Sequence, residues 1–365
     1  MKHQSNRSAV TTRPGFSMIE CVAIVLVLSM IGMTVGPTLQ SVRSNARGSA
    51  SAANLQRIGQ AAGSYGFFNN GRMFSYSWRA YELYLMPDGK RRLRSSDQEA
   101  SALQNQEILQ RRTGRISGDN FIRNFSARIP QKRFNHLILI DFLDESLETT
   151  KYIDPADALA LSWHANPLEF LEEDNTLPYG SDIDADGYEP EGDWGTFAIQ
   201  QRWAFASTYQ TVPSSWQFDF PLPRYRPVES TPHLFNSGNS INLHTGRNIT
   251  EVAFPSQKVW IFEEFDRDQA SSPYFAYDHA RTEKLMFDGS VNSWASGDAN
   301  PSVVPEEGLR PWKQTYVPLH QFPLPMGGLG DTTLISQRFR WTFRGLAGVD
   351  YGPAQPNTGP RTKNP

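Results

Sequence analysis

The chain has 365 residues in which 35 Lys+Arg face 38 Asp+Glu, so it carries no polycationic signature of nucleic-acid binding. Hydrophobic residues make up 39% and aromatic ones 12%, which supplies a packed core and excludes a disordered chain. The single cysteine, Cys21, excludes an intrachain disulfide and a cysteine-built zinc cluster, while 27 Gly and 25 Pro favour strands, turns and loops over a helical bundle.

Residues 1–15 are polar and positive, with Lys2, Arg7 and Arg13 and no acid. Residues 16–39 follow as an apolar run interrupted by one charge, Glu20. As a helix this run would be about 36 Å long, against a bilayer core of about 30 Å. It predicts a single membrane-spanning helix, and the positive flank predicts a cytoplasmic N-terminus. The remainder would then form an extracytoplasmic head. A cleaved secretory signal fits poorly, because the apolar stretch is too long and no small-x-small site follows. A plain signal anchor fits the length but leaves Glu20 unexplained, since a carboxylate in lipid is costly and marks function.

Gly15-Phe16-Ser17-Met18-Ile19-Glu20, set between a basic leader and an apolar helix, resembles the class III signal of type IV prepilins and type II secretion pseudopilins. The resemblance implies cleavage after Gly15 by a prepilin peptidase and N-methylation of Phe16. Glu20 would then be the assembly residue, and the partners would be other pilin or pseudopilin subunits and inner-membrane lipid. Pro37 falls where pilin helices commonly carry a proline, and Gly36-Pro37 removes a backbone donor, which permits a kink or local melting. A buried carboxylate is tolerable if it pairs with an amino terminus as helices stack.

Beyond Pro37 an amphipathic helix is expected over 40–65. Leu55, Ile58, Ala62 and Tyr65 lie on one face, the small residues of 48–53 suit close packing, and Gly63 and Gly66 mark the end. The segment Asn54-Leu55-Gln56-Arg57-Ile58-Gly59 also resembles a pseudopilin-like group abundant in Planctomycetes. That group often ends in a prepilin-processing-associated domain with a His, nine residues and Asp-Gly. Here eight residues separate His279 from Asp288, so either one is missing or Asp278 stands in the His place.

In the head (66–350), short helices are expected over 103–112 and 155–164, with strands over 136–141, 259–262 and 338–343. Residues 275–295 hold an Asp288-Gly289 hairpin, read as the favoured two-residue turn between strands. The fold class expected is α+β, a long N-terminal helix and a large head with an antiparallel sheet. Residues 351–365 read as a disordered tail. The basic stretch Arg91-Arg92, Arg94, Arg111-Arg112 reads as a solvated face, and Trp216 as core or as a binding surface.

Asp182, Asp184, Asp186, the Tyr188 carbonyl and Asp193 match positions 1, 3, 5, 7 and 12 of a calcium loop, with Gly187 at position 6. Pro190 offers no ligand at position 9, and no helices flank the loop, so it is not an EF-hand. Calcium is the one cofactor suggested, and a solvated acidic loop is the alternative. The seven His are scattered and no hydrolase, nucleotide or dinucleotide motif occurs, so no catalytic residue is named and an enzyme is not expected. The function expected is therefore a prepilin-like subunit of a type IV pilus-like or pseudopilus structure. The alternative is an anchored extracytoplasmic binding protein, calcium-dependent or not, that uses the leader for export without polymerising.

Overall fold

The computed structural model describes residues 18–118, 121–123, 129–143, 150–165, 205–217, 225–227, 235–237, 246–268, 273–303, 311–316 and 333–352, with the backbone alone described for 31–41, 159, 162–163, 225–227, 236–237, 316 and 333. The chain divides into two units, 1–46 and 47–365. Helix α1, Met18–Phe68, contributes residues to both. In the first unit the side chains from Met18 to Met30 are exposed, including Ile19, Val25 and Leu28, and Ser29 Oγ donates to the Val25 carbonyl at 2.7 Å. Among the described residues no helix is long and apolar enough to cross a membrane. Of the expected span 16–39, residues 16 and 17 and the side chains from 31 onward lie outside the description.

The second unit is mixed α+β. Short strands β1 (Tyr84–Leu85) and β2 (Arg91–Arg92) form a hairpin, followed by α2 (Asp97–Thr113), α3 (Pro130–Arg133), α4 (Ile140–Leu143) and α5 (Ala158–Ala165). Helix α2 begins six residues earlier than the apolar periodicity suggests. Ser96 caps it by accepting from the Glu99 N–H, and Gly114 ends it in the left-handed region. Next come β3 (Tyr209–Thr211), β4 (Tyr225–Pro227), β5 (Phe235–Ser237), β6 (Val259–Glu263), β7 (Lys284–Met286), β8 (Val291–Asn292), β9 (Gln314–Tyr316) and β10 (Thr333–Ile335). The central sheet has the order β3-β6-β7-β8, antiparallel throughout, with a bulge at Trp260 where Val259 pairs with Met286 but Ile261 with Leu285.

Every residue of β6 and β7 is buried, so both faces of this sheet are covered. One face carries Glu263 and Leu285 and meets α1. A Cβ on Gly59 would come within 3.0 Å of Leu285 Cδ1, so glycine is what lets the helix backbone approach. Leu55, Ile58, Ala61 and Ala62 join this core, and Tyr65 packs at its edge, as the periodicity predicts. The helix runs three residues past Tyr65 before Asn70 and Gly71 turn the chain at positive φ. The other face carries Phe262 and Lys284. Phe339 packs on it, its ring centroid 5.0 Å from that of Phe262 and 5.7 Å from Lys284 Nζ.

Three expectations are corrected. Residues 136–141 are not a strand but a 3₁₀ turn, Asn135–Leu139, leading into α4. Leu137, Leu139 and Ile140 are all buried, and a short continuous apolar run does not by its periodicity distinguish strand from helix. Residues 338–343 are not a strand either; Arg338–Trp341 is a 3₁₀ turn with Arg338 and Arg344 at positive φ. The alternation of Phe339, Trp341 and Phe343 suggested period 2, yet Arg340 between them is equally buried. Its guanidinium lies 4.7 Å from the Phe275 ring centroid and donates to Tyr274 Oη and Gln210 Oε1. Finally, Tyr351 belongs to the core rather than to a tail, its N–H donating to the Gln257 carbonyl at 3.1 Å. Residues 353–365 lie outside the description.

Candidate functional site

The candidate residues of the leader fall on both sides of the described boundary. Gly15 and Phe16 lie outside it. Glu20 is helical and exposed near the start of the described part of α1. The helix runs unbroken through Gly36 and Pro37. The acidic loop residues Asp182, Asp184, Asp186, Tyr188 and Asp193 lie outside the described residues. Among those described, no group of three or more His, Cys, Asp or Glu is placed to hold a metal.

Where α1 enters the second unit its small residues do specific work. Ser51 Oγ donates to Glu263 Oε1 and lies 2.9 Å from Tyr209 Oη, and Asn54 Nδ2 donates to the Ile153 carbonyl at 3.2 Å. A Cβ on Gly48 would stand 2.7 Å from an Asp268 carboxylate oxygen and 3.9 Å from Glu283 Oε1. The helix thus crosses a concentration of carboxylates at the end of β6. Burial, reinforced by Asp154, pushes the Glu263 carboxyl well above the ordinary range. Burial also raises Glu283 to about 7 and raises Asp154. Arg267 answers part of this charge, 2.7 Å from Asp157 and 3.6 Å from Asp154. Burial favours the uncharged form of Glu263, and Ser51, Tyr209 and Glu263 together fasten helix to sheet through hydrogen bonds.

The second predicted motif is the β7–β8 hairpin. Its turn has three residues rather than two. The Met286 N–H donates to the Ser290 carbonyl at 2.8 Å and the Gly289 N–H to the Met286 carbonyl at 3.0 Å. Only Gly289 has positive φ, +86°, and Asp288 does not. Asp288 Oδ1 instead accepts from the Ser290 N–H and Oγ, at 2.9 and 2.6 Å. This is a type I turn followed by a left-handed glycine, chemistry that needs Asp and Gly for shape. Upstream, exposed Asp278 pairs with Arg338, and its carbonyl accepts from the Gly297 N–H at 2.8 Å; the His279 ring lies 5.9 Å from that of Tyr277. Asp278 thus ties this stretch to the 3₁₀ segment Arg338–Trp341.

A feature missed from sequence is that the same turn occurs twice. Leu85-Met86-Pro87-Asp88-Gly89-Lys90 repeats the pattern of Leu285-Met286-Phe287-Asp288-Gly289-Ser290. The signal was legible in the two Leu-Met-x-Asp-Gly strings. Trp216 is core, fully buried and 6.3 Å from Phe235 between ring centroids. Compared with known protein families, curated proteins and solved structures, the chain matches none.

Proposed function

We propose that this protein is a prepilin-like subunit, cut after Gly15 by a prepilin peptidase and methylated at Phe16. It would be held in the inner membrane by residues 16–39 and assemble into a type IV pilus-like or type II secretion pseudopilus structure. The observation that carries the reading is the string Gly15-Phe16-Ser17-Met18-Ile19-Glu20 running directly into one helix, Met18–Phe68. The first residues of that helix expose apolar side chains, and further along it Leu55, Ile58, Ala61 and Ala62 are buried in the core of the head. Exposed apolar helix surface on this scale calls for lipid or neighbouring helices. A carboxylate on it calls for a cationic partner, which a new amino terminus at Phe16 provides. The head would contribute no chemistry of its own; peptidase and methyltransferase act on the chain.

The test is intact mass and N-terminal sequencing of the membrane-extracted protein, with Glu20→Ala alongside. A chain beginning at methylated Phe16, still cut in the variant but lost from assembled structures, is the expected result. A chain retaining residues 1–15 would overturn the reading. A cut chain indifferent to Glu20→Ala would instead be an exported head that does not polymerise.

A further inference from the structure

The β1–β2 hairpin is inside out. Tyr84 pairs with Arg92 and Leu85 with Arg91, which places Leu83, Leu85, Arg91 and Leu93 on one face and Tyr84, Met86 and Arg92 on the other. The second face is the satisfied one. Tyr84 stacks on Trp78 with ring centroids 4.0 Å apart, Met86 is buried, and Arg92 pairs with Asp88 at 2.7 Å. The first face is turned to solvent, with Leu83 62%, Leu85 65% and Leu93 45% exposed. Tyr81 joins it, held at positive φ with its N–H donating to the Arg94 carbonyl at 2.8 Å. Lys90 at the tip and Arg91 beside Leu85 are exposed; the Lys90 N–H donates to Asp88 Oδ1 at 3.0 Å, and that same carboxylate pairs with Arg92 on the other face. Residues 79–94 carry five basic and two acidic side chains.

Size and charge together select what covers this face. The four apolar side chains expose on the order of 500 Å², short of the ~800 Å² that each partner buries in a stable protein interface. A second copy placed face to face would also oppose Lys90 and Arg91 to themselves. A bilayer surface needs neither a large area nor a shaped pocket. A few apolar side chains in the interfacial zone, framed by cations at headgroup level, suffice when the lipid is anionic. We propose that the β1–β2 hairpin docks on an anionic membrane surface, with Tyr81, Leu83, Leu85 and Leu93 entering the interface while Lys90 and Arg91 meet the headgroups. The inference stands on the hairpin alone and does not depend on how the leader is processed.

The chain's one cysteine makes the test site-specific. Full-length Cys21→Ser/Leu83→Cys protein, labelled with an environment-sensitive fluorophore, is reconstituted in phosphatidylcholine vesicles with and without phosphatidylglycerol. A blue shift and quenching by spin-labelled lipid are expected only with the anionic lipid. Adding Lys90→Gln/Arg91→Gln should lower the docked-to-free ratio about thirty-fold, at about 1 kcal/mol per charge. An unchanged urea midpoint for that variant would show the fold intact. No shift on anionic vesicles would overturn the proposal. So would an equal shift on zwitterionic vesicles, or a lipid-free shift that grows with protein concentration and thus reports a second copy.

Discussion

Two hairpins, 200 residues apart, share one turn and meet opposite fates. In both, Met pairs with the residue four ahead, Gly sits at positive φ (+76° at Gly89, +86° at Gly289) and the Asp side chain accepts from the N–H two residues on. Even the register is the same, Tyr84 with Arg92 and Leu85 with Arg91 against Lys284 with Asn292 and Leu285 with Val291. Yet Leu285 is fully buried beneath α1, whereas Leu85 is 65% exposed. The difference lies in the neighbours. β7 pairs with β6 and is pressed by Gly59, while β1 and β2, among the described residues, pair only with each other in a two-stranded ribbon. Local chemistry makes a hairpin; a covering layer makes it core.

The largest effect that sharpens this contrast is at the paired leucines. Leu285→Ala should cost about 2–5 kcal/mol in urea denaturation, and Leu85→Ala within about 0.5 kcal/mol. Equal losses would mean that the first hairpin is covered after all. Next come the turn glycines. A Cβ at Gly89 or Gly289 meets nothing within 4 Å, so alanine pays only the left-handed backbone strain, about 1–2 kcal/mol. Gly289→Ala should lower the global unfolding midpoint. Gly89→Ala should leave that midpoint nearly unmoved and instead speed hydrogen exchange at Tyr81 and Met86, because its ribbon opens locally.

The remaining effect is electrostatic and belongs to β7 and the residue preceding it. Glu283 holds its proton up to about pH 7 through burial, against an ordinary 4.5. Between those values the folded state binds the proton more tightly than the unfolded state, so stability falls as pH rises through that window. Lys284, lowered by burial to about 8 from 10.5, gives the opposite slope; above pH 8 the unfolded state binds more protons and stability rises again. Titrating urea midpoints from pH 4 to 10 should reveal a trough near pH 7–8. Glu283→Gln should flatten its acid side, and a slope unchanged by that substitution would place the titration elsewhere.

Much of this was readable from residues, and the failures share a cause. The face of α1 was legible because Leu55, Ile58 and Ala62 recur at helical spacing against a covering sheet. The β6 strand and the Asp288-Gly289 hairpin were legible because β-branched, aromatic and turn residues alternate cleanly there. Residues 136–141 and 338–343 misled because consecutive residues in each, Leu139-Ile140 and Phe339-Arg340-Trp341, are buried together, and alternation is a signal only where burial falls on one side. Arg340 could not be foreseen as a core residue, since its partners Tyr274, Gln210 and Glu264 are brought together only by the fold.

Sequence alone determined the elements whose energy is local. These are the leader string with Glu20, the amphipathic face of the long helix, and the Asp288-Gly289 turn, whose shape follows from glycine's freedom at positive φ. Tertiary structure decided what depends on distant groups. It chose which of two equivalent hairpins became core, which face of the other was left to solvent, and that burial raises the Glu263 carboxyl. Burial and desolvation are properties of neighbours hundreds of residues away, so no short window of residues carries them.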